Sequence, residues 1–427
     1  MTTTAQPRPG TPVPPLRHNR DFLLLWSGTA VSLVGLTVST IAYPLLILAV
    51  TGSKAAAGVV GFFSLLPALL FQLPAGVLVD RWNRRRLMIW CDVIRALGAA
   101  SVVLALALDE LTLAHVVVVG FVEGTMSVFF NLAAHAAVPN VVHPDHLSTA
   151  LSRNEARSRA ATMLGTTLGG VLFGLSRALP FALHAVTHVI SLVTLLFIRS
   201  DFQSDRRVRT RTTGMLAEVG EGTRWLWRQP FLRTAALLVA GSNLLFRALF
   251  LVVVVMATDV GASPAAVGVL LSVAGAGGVL GSLVAGWCQR RLPLSALVVG
   301  ANWVWAVLMG VIVLTDSLYL LAAAYAAMWF VGPVWNVAVA THQLRVTPDR
   351  LRGRVLGAMG LLASGALPVG ALIGGLLLEW SDARTAALVL AGWMVLLALV
   401  ATIAPSLRRA IAPVETTTTP DAEPAVR

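Results

Sequence analysis

GVLVDRWNRRR, residues 76–86, returns 205 positions later as GSLVAGWCQRR, residues 281–291. The two strings share Gly76/Gly281, Trp82/Trp287, Arg85/Arg290 and Arg86/Arg291. Three further pairs keep nearly the same offset: Val142-His-Pro-Asp145 with Val346-Thr-Pro-Asp349, Gly165-x3-Gly169-Gly170 with Gly370-x3-Gly374-Gly375, and Asn131 with Asn336. Four matches at one spacing identify an internal duplication. Each basic string follows a long apolar run, so the repeated unit is a set of apolar segments joined by charged loops. Transport proteins are often built this way, with the substrate site near mid-membrane between the repeats.

Working outward, the chain alternates such runs and loops twelve times. The spans cover 22–50, 55–79, 87–108, 112–138, 157–177, 180–198, 231–258, 264–287, 293–314, 317–341, 354–378 and 384–404. Each is long enough to cross a ~30 Å hydrocarbon layer as a helix, and helices satisfy every backbone polar group internally where no water can. Of the 427 residues 57% are apolar and 12% charged, against about 25% charged in soluble domains. A soluble enzyme, a disordered chain and a disulfide-stapled domain are excluded. The expected fold is an all-α membrane protein of twelve transmembrane helices in two pseudo-symmetric six-helix bundles, 21–198 and 231–405. A linker, 199–230, joins them, and the Pro- and Thr-rich tails 1–20 and 406–427 are expected to be disordered.

The net charge of +12 comes from 31 Arg and one Lys, and its placement speaks for topology. Loops on the side of the termini hold 27 of these 32; only Lys54, Arg177 and Arg384 fall opposite, and Arg95 and Arg247 lie within spans. By the positive-inside rule both termini are cytoplasmic, in a cytoplasmic (inner) membrane; nucleic acid is not the implied partner. Cys91 and Cys288 flank basic loops on the same side, so no disulfide is expected. The first apolar run is too long for a signal-peptide core.

The string at 76–86 resembles the G-x3-D-R-x2-R-R loop signature of the major facilitator superfamily. Asn19-Arg20-Asp21-Phe22, Thr51-Gly52-Ser53 and Arg352-Gly353-Arg354-Val355 resemble its drug and siderophore exporters, the branch of macrolide efflux and enterobactin export proteins. The resemblance implies a cytoplasmic gate formed by Gly76, Asp80, Arg81, Arg84 and Arg85, with Asp80 facing the helix start near Gly353 in one of two states. The alternative for the arginines is simple anchoring. Two features depart from the pattern. Leu36 stands where many relatives carry an acid after the span-one glycine, and the span-five glycines lack the usual proline.

Ionisable groups at membrane depth mark functional pathways by default. In span four Glu123, Ser127, Asn131 and His135 recur every four residues, one drifting stripe on a helix. The resemblance turns spans one, four, seven and ten toward a central cavity, which makes Glu123 the proton-coupling candidate; the alternative is a packing stripe. Asn243 and Arg247 in span seven extend the cavity set, Arg247 either as a counter-ion to Glu123 or as an anion site. Ser32, Ser39 and Tyr43 of span one and Trp335 and Asn336 of span ten complete it. Asp92 and Arg95, three apart in span three, read as a structural ion pair. His184-x3-His188 puts two imidazoles on one helix face, too few for a metal site. No GxxxxGK[ST] loop supports ATP hydrolysis, and no cofactor is expected. The reading is proton-coupled efflux of a hydrophobic or amphipathic small molecule such as an antibiotic, drug or siderophore, by a monomer in a lipid bilayer. The alternative is a transporter-like sensor or lipid-handling protein that does not pump.

Overall fold

The computed structural model describes residues 16–200, 202, 215–348 and 351–409. Most of both tails, and part of the loop before 215, lie outside these. The described residues form helices and no strand: α1 Arg20–Thr51, α2 Lys54–Arg81, α3 Arg84–Ala107, α4 Leu113–Val141, α5 Leu147–Leu175, α6 Leu179–Phe197, α7 Met215–Arg228, α8 Pro230–Asp259, α9 Pro264–Arg291, α10 Leu294–Leu314, α11 Leu318–Val346, α12 Arg352–Trp380, α13 Ala383–Ile403 and α14 Pro405–Arg409. Starts are set by polar caps. Asn19, Ser53, Asn83, Thr112, Ser263 and Asp382 each accept a hydrogen bond from an amide of the first turn, satisfying a donor the helix itself cannot.

Eleven of these helices are long and apolar enough to cross a membrane. α5 makes the twelfth by length, 29 residues, but carries Arg153, Glu155, Arg157 and Arg159 in its first half. Span five thus begins ten residues earlier than hydropathy indicates, because helix 147–156 is polar and projects past the apolar layer. The stretch 199–230, read as a linker, likewise contains α7. Large apolar side chains such as Leu283, Leu314 and Trp380 stand more than three-quarters exposed, as a lipid-facing belt requires.

The packing obeys one exchange rule. In the first half α1 packs on α5 and α6, α2 on α4, and α3 on α4 and α6; in the second half α8 packs on α12 and α13, α9 on α11, and α10 on α11 and α13. Two crossings join the halves, α2 with α12 and α5 with α9, and each maps onto the other when the halves are swapped. The repeated glycines explain why. A Cβ at Gly169 would sit 2.9 Å from the Val38 carbonyl of α1, and one at Gly374 would sit 2.8 Å from Ala248 of α8. Their neighbours turn to the opposite half: Gly170 approaches Gly268 of α9, and Gly375 approaches Gly58 of α2. Small residues let backbones meet where lipid gives no hydrophobic drive for association.

Candidate functional site

A cavity of about 840 Å³ runs between α1, α2, α4 and the start of α5. It extends from Trp26, Leu151 and Glu155 at the arginine-rich end of the bundle to Tyr43, Ala57 and Glu123 deeper in, and Arg247 of α8 reaches its wall from the second half. Apolar side chains dominate the lining, among them Leu33, Leu36, Leu65 and Val128. Beyond it the bundle is shut. Leu45–Ile47 of α1 and Leu251–Ala257 of α8 are buried on every face and belong to one apolar cluster that spans both halves. A second cluster, at the arginine-rich end, contains first-half residues only. The halves are therefore fused at one end and parted at the other.

Behind the cavity wall lies a polar chain. Glu123 Oε1 of α4 is 3.2 Å from His184 Nε2 of α6. His184 Nε2 is 3.3 Å from His188 Nε2, and His188 Nδ1 is 2.9 Å from Asp92 Oδ1 of α3 and 3.2 Å from Ser32 Oγ of α1. Arg95 NH1 approaches Asp92 at 4.0 Å and its guanidinium lies over the Phe130 ring at 5.6 Å. These groups are 0–4% exposed. Gly35 permits the arrangement, since a Cβ there would meet Thr187 Oγ1 at 1.9 Å and push α6 away from α1. Among the described residues no three ligands converge as a metal site would need.

The two ends of the α2–α12 crossing differ. At the closed end Glu379, near the end of α12, accepts hydrogen bonds from Ser53 Oγ at 3.1 Å and from the Ala55 amide at 2.9 Å, at the start of α2. At the arginine-rich end Asp80 is exposed and pairs with Arg84 at 3.3 Å; among the described residues it makes no hydrogen bond to the α12 start. That start has no side-chain cap, and α7 packs against it, with Gly222 against the Arg354 backbone and Glu221 paired with Arg354.

Compared with the sequence reading, Ser32, Ser39, Tyr43, Glu123, Ser127, Asn131, His135 and Arg247 line the cavity. Asn243, Trp335 and Asn336 do not. Asn243 donates to the Ala363 carbonyl at 3.0 Å, Trp335 is packed against Trp305, and Asn336 is exposed outside the cavity. Arg247 has no carboxylate within 4.0 Å among the described residues; it stacks on Phe250 at 4.9 Å, and Glu123 faces His184 instead. Asp92 likewise has His188, not Arg95, as its nearer partner. Arg84 and Arg85 act as clamps within the first half, Arg84 donating to the Ala136 and Phe202 carbonyls and Arg85 to those of Leu195 and Leu196 at the end of α6. Arg81 is exposed, and Gly76 and Gly353 have open space where a Cβ would stand. His184, His188 and Glu379 were not foreseen as site residues. The i, i+4 spacing of His184 and His188 is the signal in the sequence, and it fits a hydrogen-bonded pair on one helix face as well as it fits metal chemistry.

Known proteins agree with this architecture. The chain is 28% identical over 400 residues to the multidrug efflux pump Tap of Mycolicibacterium fortuitum, covering 91% of this chain and 96% of that one. It is 29% identical over 127 residues to macrolide efflux protein A of Streptococcus pyogenes, 30% of this chain and 31% of the relative. The crystal structure of the nucleoside transporter NupG superposes with a TM-score of 0.73 at 12% identity, covering 90% of this chain and 98% of that one; this similarity concerns the fold alone. The family described as transmembrane secretion effectors matches residues 10–426. The chain belongs to that family of major facilitator membrane transporters and is not an enzyme.

Proposed function

We propose that the protein exports hydrophobic or amphipathic small molecules, antibiotics among them, by proton-coupled alternating access. The observation that carries this is the asymmetry of the bundle: a cavity reaching the arginine-rich end, and two-halved apolar packing closing the other. With the arginine-rich end cytoplasmic, this is a state that takes cargo from the cytoplasm or the inner leaflet. A largely apolar wall broken by Ser32, Glu123, Asn131 and Arg247 suits a ligand recognised by shape and a few polar contacts. The full-length similarity to a multidrug efflux pump supports the direction and the cargo class. Glu123, buried yet in the cavity wall, is the group through which a proton enters the cycle. Export follows if proton and cargo favour opposite states, since each shifts the equilibrium only by its differential affinity. The test is ethidium accumulation in everted membrane vesicles under an imposed proton gradient. Accumulation that a protonophore collapses is expected; gradient-independent signals for ethidium, erythromycin and tetracycline alike would overturn the reading.

A further inference from the structure

We propose that Glu123, His184, His188 and Asp92 form one proton-storage unit, a buried carboxylate–imidazole–imidazole–carboxylate relay that holds a single exchangeable proton. The proposal rests on the proton-coupled reading and names its binding site. Charge counting is the first argument. With both carboxylates ionised, Arg95 protonated and both rings neutral, the cluster carries one net negative charge in a nearly water-free interior. Burying an uncompensated charge is costly, and one added proton neutralises the unit. The second argument is hydrogen-bond arithmetic. Two ring nitrogens 3.3 Å apart need one hydrogen between them: two clash and none leaves lone pairs facing. His188 Nδ1, 2.9 Å from Asp92, holds a hydrogen toward an acceptor-only carboxylate. His188 Nε2 then accepts, and His184 Nε2 donates.

That single hydrogen on His184 is contested. Glu123 Oε1 lies 3.2 Å from the same nitrogen but makes no hydrogen bond in this structure, where the bond from His184 to His188 is formed; an ionised Glu123 draws that hydrogen away only if the ring turns toward it. A proton arriving on Glu123 from the cavity ends the competition and commits His184 to His188. Proton uptake at α4 thus fixes the bonding of α6 toward α3 while atoms and charge stay balanced. Glu123 itself lines the cavity, and Ser32 and Arg95, which contact the His188–Asp92 end, line it too, so cargo in the cavity senses the charge of the unit. The other titratable or charged groups beside the unit or on the cavity wall are Tyr43 from α1, Cys91 beside Asp92 on α3, His135 from α4, Glu155 and Arg157 from α5, and Arg247 from α8; the polar groups that α2 contributes are Ser64 and Gln72.

The test is pH-difference infrared spectroscopy of the full-length protein in detergent, reading the protonated-carboxyl band without any cargo. The wild type should show one titrating carboxyl that Glu123→Gln removes. His184→Gln, and His188→Asn, which keeps a donor toward Asp92 but cannot take a second proton, should each move its midpoint by about one pH unit or more. Unchanged midpoints in both folded histidine variants would overturn the relay, as would a carboxyl band insensitive to Glu123→Gln. The vesicle assay separates the two ideas. Proton-driven ethidium accumulation with unmoved midpoints sinks the relay alone, whereas moved midpoints without proton-driven accumulation sink the transport reading and leave the unit standing.

Discussion

Among the described residues Glu123 occupies the one position where membrane-depth acidity, cavity access and a buried partner coincide. Glu123→Gln keeps the shape and an accepting oxygen toward His184 but removes the proton site. Proton-driven accumulation in vesicles should vanish while downhill exchange of preloaded cargo persists; loss of both would point to a collapsed cavity rather than to lost coupling. Arg85 illustrates a different residue-scale role. Its guanidinium covers two carbonyls at the end of α6, groups that the helix itself leaves unpaired. Charge-assisted bonds of this kind are worth about 1.5–3 kcal/mol when buried, and partial exposure here reduces that. Arg85→Ala should cost about 1–2 kcal/mol, read as a lower thermal unfolding midpoint in detergent with little change in the pH dependence of transport. A shifted pH profile would instead place Arg85 in the coupling machinery.

At the scale of elements, the glycine repeat makes a sharper prediction than any single contact. A Cβ at Gly375 would lie 2.6 Å from Gly58 Cα and 2.8 Å from the Lys54 carbonyl oxygen, backbone atoms with nowhere to retreat. Gly375→Val should therefore force α12 off α2 and destabilise the folded protein by roughly 1–3 kcal/mol or more. Gly300→Ala, in open space on α10, should leave the melting midpoint unchanged or raise it; equal effects of the two would refute the packing argument. The offset of 205 made the duplication and the equivalence of its glycines legible in advance, but not which helices cross between the halves. Hydropathy likewise marked the lipid-facing runs. It missed the first ten residues of α5 and all of α7, since polar helices lying beyond the apolar layer carry no hydropathy signal. The site was legible by the same measure. Glu123 and its stripe followed from a fourfold period, whereas the link to Asp92 through His188 depends on which face of α6 meets α3, which no spacing within one helix specifies. Trp335 and Asn336 were drawn in by family geometry and repeat symmetry, but in this state the cavity lies mainly on first-half helices.

For the whole molecule we propose that the α2–α12 pair works as a lever with an acid at each end. Near its C-terminus each helix carries a carboxylate, Asp80 or Glu379, and each faces the end of the bundle at which the other begins. Unpaired amides and the helix dipole make such starts attractive to anions. Among the described residues only the Glu379 contact is made, at the closed end, while Asp80 pairs with Arg84 and makes no hydrogen bond to the α12 start. If the halves rock, the first contact should break as the second forms, so the two acids bias the equilibrium in opposite directions. Neutralising Glu379 should loosen the closed end, and neutralising Asp80 should hold the arginine-rich end open. A cysteine placed by Asn131→Cys in a Cys288→Ser background reports this, because Asn131 is accessible from the cavity and Cys91 is buried. Maleimide labelling from the cytoplasmic side should fall by roughly two- to fivefold with Glu379→Gln. Asp80→Asn should keep labelling high while slowing turnover more than it weakens cargo binding. Changes of the same sign for both substitutions would mean that the two contacts do not alternate, and the lever would have to be abandoned even if transport itself were proton-driven.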